Sequence, residues 1–143
     1  MVDKDGLRKA RDFYKKAIEE YKRAKACPDR GEGTNDVLFR DAGEKGWNAI
    51  VLATNYIIKE ITGKSSKSNK ERRKNLREVE AKNGKLKRYR FYERFAARAY
   101  ILHMNCFYDG IYTEDELEEN LKKVKEYIGD AEKVINKGLN PAG

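Results

Sequence analysis

The chain has few of the residues that build metal sites and disulfide frameworks. Its 143 residues include one histidine, His103, and two cysteines, Cys27 and Cys106. One histidine with two distant cysteines does not supply the ligand set of a zinc site, and two cysteines do not imply a disulfide framework. We therefore expect no metal, no cofactor and two reduced thiols.

Long apolar runs and a phosphate-binding glycine loop are absent too. No hydrophobic stretch approaches the roughly 20 residues that span a bilayer. The first residues, MVDKDGLRKARD, lack the apolar segment of a signal peptide. Gly31-Glu32-Gly33 has neither the preceding strand nor the following pattern of a phosphate loop. These absences predict a cytoplasmic protein without membrane contact and argue against a nucleotide site of that type.

The apolar residues that are present recur at α-helical spacing. Charged and hydrophobic residues each make up 39% of the 143-residue chain, and the periodic placement of the hydrophobic ones argues against disorder. The excess of Lys and Glu is also typical of proteins from heat-loving organisms. Nothing reads as a strand, and the length suits one core. We expect a single all-α domain, residues 1–143, whose first helix buries Leu7, Ala10, Tyr14, Ala17, Tyr21 and Ala24.

Start and stop signals predict an antiparallel up-and-down bundle of four long helices plus one short helix. Capping boxes opened by Ser68 and Thr113 mark the starts of the short third helix and of the last helix. A proline and two glycines in residues 27–33 end the first helix, and Gly138 with Pro141 ends the last one. The predicted helices cover about residues 5–26, 35–62, 69–82, 85–109 and 114–137.

Two glycines interrupt the second predicted helix. Gly43 and Gly46 are three residues apart on one face, and each costs roughly 1 kcal/mol relative to alanine in a helix interior. This pattern predicts the close approach of another helix at that point. Trp47 beside them is expected to be a core anchor.

The net charge of +8 belongs to one segment. Residues 64–90 hold twelve basic and three acidic residues, a net charge of +9, and the rest of the chain is close to neutral. Such a patch is typical of surfaces that attract a polyanion such as RNA or DNA; a solvated lysine-rich surface is the plainer interpretation. Interleaved aromatics (Tyr89, Phe91, Tyr92) are candidates to stack on bases or to join the core. The candidate contacts are Lys70, Arg72, Arg73, Arg77, Lys85, Lys87, Arg88 and Arg90, with Arg94 as a further phosphate contact.

The fourth predicted helix holds a candidate catalytic pair, Arg98 and His103. The imidazole exchanges protons near neutral pH, and a guanidinium binds phosphate oxygens, so the two can support metal-free RNA cleavage. Five residues along an α-helix turn through about 140°, which directs the two side chains to opposite edges of the buried stripe. One helix therefore cannot bring both to one phosphate, and the hypothesis predicts a homodimer through the fourth helix.

The same residues carry a resemblance. Residues 98–103 fit the Arg-x4–6-His signature of HEPN domains, helical bundles found in RNA-cleaving toxins and defence proteins, and the order of helices is similar. More specifically, the chain resembles the archaeal PaREP proteins, which are HEPN-like bundles, in residues 40–49, 72–76 and 102–110. The resemblance implies a homodimer and, with Arg98 and His103, ribonuclease activity.

Two positions depart from the HEPN pattern. HEPN nucleases commonly have a polar residue directly after the motif arginine, where this chain has Ala99, and one toxin subtype has tyrosine where this chain has Asn105. The alternatives therefore remain a binding module for nucleic acid or a nucleotide, and a dimeric interaction scaffold. In the latter, Arg98 pairs with a carboxylate such as Glu44, and His103 hydrogen-bonds across the bundle.

Overall fold

The computed structural model describes residues 4–27 and 34–136, and these residues form helices without a strand. The all-α prediction is confirmed. The predicted loop over residues 28–33 and the stop signals at Gly138 and Pro141 lie outside the described residues. The helices are α1 (Lys4–Ala26), α2 (Thr34–Thr62), α3 (Asn69–Lys82), α4 (Gly84–Tyr89), α5 (Phe91–Arg98), a π-helix (Ala99–Tyr108) and α6 (Glu114–Asn136).

Four rods make the predicted up-and-down bundle: α1, α2, α5 continued by the π-helix, and α6. The end of α1 meets the start of α2, where the rings of Tyr21 and Phe39 lie 5.6 Å apart. The π-helix and α5 run back along α2. The last rod, α6, is antiparallel to the rod of α5 and the π-helix. Phe91 at the start of that rod packs against Tyr127, whereas Leu102 further along it lies at Gly46 together with Leu121, nearer the start of α6.

The two glycines of α2 allow other rods to pack tightly against it. A Cβ on Gly43 would lie 2.8 Å from the Sγ of Cys106, and one on Gly46 would lie 2.7 Å from the Cδ2 of Leu121. Both distances are too short for ordinary packing, so the predicted close approach is confirmed. Trp47 is 3% exposed and packs on Phe95, as expected of a core anchor.

The short helix α3 lies on the outside of the bundle. Its start matches the predicted cap, because the Ser68 hydroxyl accepts a hydrogen bond of 3.1 Å from the Glu71 amide. Only Leu76 and Val79 of α3 are buried. Since so little of α3 faces the core, most of its basic side chains are directed to solvent.

The prediction of one continuous fourth helix over residues 85–109 is wrong. Arg90 adopts a left-handed conformation with φ of 53°, which separates α4 from α5. A carboxylate from α3 stabilises the break, because Oε1 of Glu80 accepts a 2.9 Å hydrogen bond from the Tyr92 amide. Beyond Arg98 the rod becomes a π-helix, and its wider i→i+5 hydrogen-bonding pattern is seen where the Asp109 amide donates to the Met104 carbonyl.

Candidate functional site

His103 lies on the side of the π-helix that faces α2. Its Nδ1 is 2.7 Å from Oε1 of Glu44, and both side chains are about one-fifth exposed, at 23% and 20%. Because an ionised carboxylate only accepts hydrogen bonds, the imidazole must donate through Nδ1. One ring nitrogen, Nδ1, is therefore hydrogen-bonded to α2, and the other, Nε2, is not used in this contact.

Three aromatic rings fix the orientation of the imidazole. Trp47 stacks on it at 5.5 Å between ring centroids, Phe107 lies parallel at 6.4 Å, and Tyr108 meets it edge-on at 4.9 Å. The remaining nitrogen, Nε2, has no hydrogen-bond partner in residues 4–27 and 34–136, and it is not completely buried. Nε2 is thus the ring nitrogen that is left without a partner and in contact with solvent.

Arg98 lies on the other side of the rod, among charges of α5 and α6. It is only 6% exposed, and its Nε is buried without a hydrogen-bond partner among the described residues. Burial lowers the pKa of its guanidinium, the neighbouring Arg94 lowers it further, and Glu119 and Glu126 oppose the shift. A buried donor without an acceptor is costly, by about 1–3 kcal/mol.

The structure does not bring the two motif residues together within one subunit. His103 contacts α2, whereas the charges that act on Arg98 come from Arg94 and α6. Among the residues that the structure describes, neither a hydrogen bond nor an ion pair joins them. Of the structural alternative, the hydrogen bond of His103 across the bundle is found, to Glu44. The pairing of Arg98 with Glu44 is not found among the described residues.

Arg94 is already engaged within the bundle. Its guanidinium donates to the Tyr89 carbonyl at 3.0 Å and pairs with Asp130 at 2.9 Å. It also lies over the rings of Phe91 and Tyr127. A phosphate contact by Arg94 would have to replace these interactions, so the side chain serves first to join α5 to α6.

The outer side of the π-helix exposes apolar side chains. Tyr100, Met104 and Tyr108 are 60%, 52% and 63% exposed, and Val37 and Ile111 nearby are 59% and 62% exposed. We call these five residues the apolar face. Clustered exposed hydrophobic side chains commonly mark an interaction site, and His103 belongs to the same π-helix.

The charged segment forms a second surface, on α3. Lys70, Arg73, Lys74 and Arg77 are exposed, and together with Glu78, Ala81 and Tyr92 they line a shallow groove. We call these four residues the basic face. Within the described part of the chain none of the four has an acidic partner, and the guanidinium of Arg77 lies 5.6 Å from the Tyr92 ring centre.

The remaining predicted contacts divide between structure and surface. Arg72 turns inward and donates to Asn55 at 2.8 Å and to Asn69 at 2.7 Å, which ties α3 to α2. Of the aromatics, Phe91 is fully buried and Tyr92 is half-buried at the groove. The exposed basic residues at and beyond α4 continue the positive surface: Lys85, Lys87, Arg88 and Arg90.

Sequence reasoning missed the partner of His103 and the apolar face. Glu44 is 59 residues from His103, and no local pattern links the two. A signal for the apolar face did exist, because the segment AYILHMNCFY has no acidic or basic residue apart from its histidine. Such a segment has more apolar positions than one buried stripe can use.

The described residues contain neither a cluster of metal ligands nor a membrane-spanning helix. Residues 4–27 and 34–136 contain no group of three or more acidic, cysteine or histidine side chains that could hold a metal ion. No helix among them combines the length and apolar character needed to cross a bilayer. Neither cysteine forms a disulfide among these residues, and Cys106 is buried whereas Cys27 is half-buried.

Comparison with known proteins gives one family. No curated protein and no solved structure matches the chain. The family described as the archaeal PaREP1/PaREP8 family matches residues 7–128, a range that runs from α1 into α6 and includes both Arg98 and His103. Because that match covers most of the chain, this protein belongs to the archaeal PaREP1/PaREP8 family.

Proposed function

We propose that this protein is a HEPN-like homodimer that binds RNA and cleaves it without a metal ion. Membership of the HEPN superfamily is part of the proposal, supported by the helical bundle and by the Arg98-to-His103 spacing. The observation that carries it is the position of His103, whose Nε2 reaches solvent on the π-helix that also bears exposed apolar side chains.

The apolar face supports association of two copies. Tyr100, Met104 and Tyr108 are each more than half exposed, and burying a large apolar side chain contributes about 1.5–3 kcal/mol. If a two-fold axis passes through the apolar face, the same face of both copies forms the interface, and the exposed side chains of one copy pack against those of the other. Such pairing brings the two His103 residues to one shared cleft.

The proposed chemistry uses the two imidazoles in different protonation states. Nε2 of one His103 accepts the proton of a ribose 2′-hydroxyl as that oxygen forms a bond to phosphorus. The bond from phosphorus to the 5′ oxygen then breaks, and the leaving oxygen takes a proton from His103 of the partner subunit. Acid and base catalysis of this kind contributes about 10²–10⁴-fold to rate.

We propose that Arg98 binds a phosphate of the RNA, because its Nε–H group lacks a hydrogen-bond acceptor. Its buried Nε has no acceptor among the described residues, so a phosphate oxygen would supply a hydrogen bond that the folded subunit lacks. The 6% exposure of Arg98 in the single subunit requires the side chain to move towards the cleft when RNA binds. Of the two proposed catalytic residues, Arg98 is therefore the one that has to change its conformation before it can contact RNA.

A second candidate function is RNA binding without cleavage. It is favoured by the basic face, where four cations without an ion-pair partner among the described residues line one groove with Tyr92 and a single carboxylate, Glu78. Phosphates are held by such cations with release of counterions, and an aromatic ring at the groove can stack on a base. The same surface would hold substrate in the cleavage proposal.

Cleavage is tested with purified protein, structured RNA and EDTA. We expect the wild type to cut the RNA and His103→Asn to lose at least about 10²-fold in rate. Tyr100→Glu with Met104→Glu is expected to give a monomer in light scattering and to lose activity as well. Equal cleavage by wild type and His103→Asn would reject the assignment of the active residue.

Binding is tested by titration of RNA at several salt concentrations. Replacing Arg73 and Arg77 with glutamine should weaken binding and reduce the slope of log affinity against log salt by about 1–2. The matched control replaces two exposed lysines of α6, Lys122 and Lys125, with glutamine. If both double variants lose the same affinity, binding follows net charge and the basic face is not the site.

A further inference from the structure

Glu44 is the one side chain that makes a polar contact with the imidazole of His103 in the described residues. Its Oε1 lies 2.7 Å from Nδ1, and the carboxylate is only 20% exposed. It comes from α2, whereas His103 belongs to the π-helix, so the contact joins two rods of the bundle. In the proposed cleavage this carboxylate neither touches the RNA nor transfers a proton.

The contact decides which nitrogen of a neutral imidazole holds the proton. A carboxylate accepts hydrogen bonds and donates none, so Nδ1 must carry the hydrogen. The lone pair is then on Nε2, the nitrogen that reaches solvent. In the opposite tautomer Nε2 would carry the hydrogen, and it could not accept a proton from a hydroxyl group.

The aromatic rings around His103 do not make this choice. Trp47 and Phe107 lie against the faces of the imidazole, and Tyr108 approaches it edge-on. These contacts restrict rotation of the ring but offer no strong acceptor to either nitrogen. The choice of tautomer therefore depends on Glu44.

We infer that Glu44 is a positioning residue that holds the neutral form of His103 with its proton on Nδ1 and its Nε2 lone pair towards the cleft. The carboxylate touches no substrate and acts only through the imidazole. It also stabilises the imidazolium that forms when Nε2 takes up a proton, because the new positive charge is beside it. The catalytic part of this inference rests on the proposed ribonuclease function, and the tautomer does not.

The chain offers a direct measurement, because His103 is its only histidine. Protein labelled with ¹⁵N-histidine gives one pair of imidazole nitrogen signals, which report the position of the proton. In the wild type with a neutral imidazole we expect the proton on Nδ1. Glu44→Ala leaves no side-chain acceptor at Nδ1, and we expect the signals to move towards the Nε2–H form.

A matched control separates this role from stability. Glu20→Ala also removes a carboxylate that pairs with α2, since Glu20 forms an ion pair with Lys45, the residue next to Glu44. We expect Glu20→Ala to leave both the tautomer and the cleavage rate unchanged. We expect Glu44→Ala to lower kcat by about 10- to 100-fold, a part of what acid–base catalysis contributes, with little change in KM.

The outcomes distinguish the two claims. A proton on Nε2 in the wild type overturns the inference even if Glu44→Ala fails to fold. An unchanged tautomer, or an unchanged kcat in an active enzyme, in Glu44→Ala overturns it as well. If the tautomer changes as expected but the wild type cuts no RNA, the positioning by Glu44 stands and the proposed ribonuclease function fails.

Discussion

Because α2 and α6 are in close contact at Gly46, we expect two glycine-to-alanine substitutions to change the stability of the protein in opposite directions. Gly46 lies in α2, where an added Cβ would be 2.7 Å from Cδ2 of Leu121. Gly129 lies in α6, where an added Cβ would have nothing within 4 Å. Both are helix-interior glycines, so they share the same gain in helix propensity and differ in packing.

The magnitude follows from these distances. Alanine in place of a helical glycine stabilises by about 1 kcal/mol, and Gly129→Ala should show that gain. In Gly46→Ala the Leu121 methyl group must retreat by about 0.7 Å to reach ordinary contact at 3.4 Å. Leu121 is 0% exposed, so the shift overpacks the core at about 1–3 kcal/mol. The net expectation for Gly46→Ala is a loss of about 1 kcal/mol.

The assay is chemical and thermal unfolding followed by helical circular dichroism. Each 1 kcal/mol should change Tm by about 4 °C in a domain of this size, so the two variants should differ by about 8 °C. In a Leu121→Ala background the clash is removed, and Gly46→Ala should then become stabilising. Equal stabilisation by both single substitutions would refute the close packing of α2 on α6.

Three further predictions concern the thiols, the left-handed residue and the cap of α5. Burial raises the pKa of the Cys106 thiol to about 12, which leaves about one thiolate in 10⁴ at pH 8. A thiol reagent should therefore modify the native protein quickly at Cys27 alone and the unfolded protein at both cysteines. Equal modification rates of Cys27 and Cys106 in the native protein would contradict this. Arg90 has φ of 53°, so Arg90→Gly should raise the free energy of unfolding by about 1 kcal/mol, whereas Arg88→Gly within α4 should lower it by about as much. Glu80→Ala removes the acceptor of the Tyr92 amide and should destabilise by about 1 kcal/mol, with faster hydrogen exchange at Tyr92; unchanged exchange there would count against the cap.

The caps and glycines explain why so much of the fold could be predicted. Ser68 and Thr113 cap α3 and α6 through hydrogen bonds to residues three positions later, and such short-range patterns are visible in a sequence. Gly43 and Gly46 mark a close helix contact for a similar reason, since only a packing constraint accounts for two costly glycines on one helical face.

The interrupted fourth rod could not be predicted in that way. The left-handed residue is an arginine rather than a glycine, so the usual sequence signal for a break is missing. The carboxylate that caps α5 comes from Glu80, on a different helix. The sequence pattern around residue 90 favours a helix, and the tertiary contact with α3 overrides it.

In the candidate site, too, some features could be predicted from local sequence and others depend on tertiary contacts. Local sequence determined the all-α class, the position of the basic segment and the spacing of Arg98 and His103, because helical periodicity and charge are properties of neighbouring residues. Only the tertiary structure decided that His103 pairs with Glu44, that Arg98 turns to the α6 side without an acceptor for its Nε, and that Tyr100 and Met104 remain uncovered. These outcomes depend on how four rods pack side by side, and a contact between residues 59 positions apart leaves no trace in the order of residues around either one.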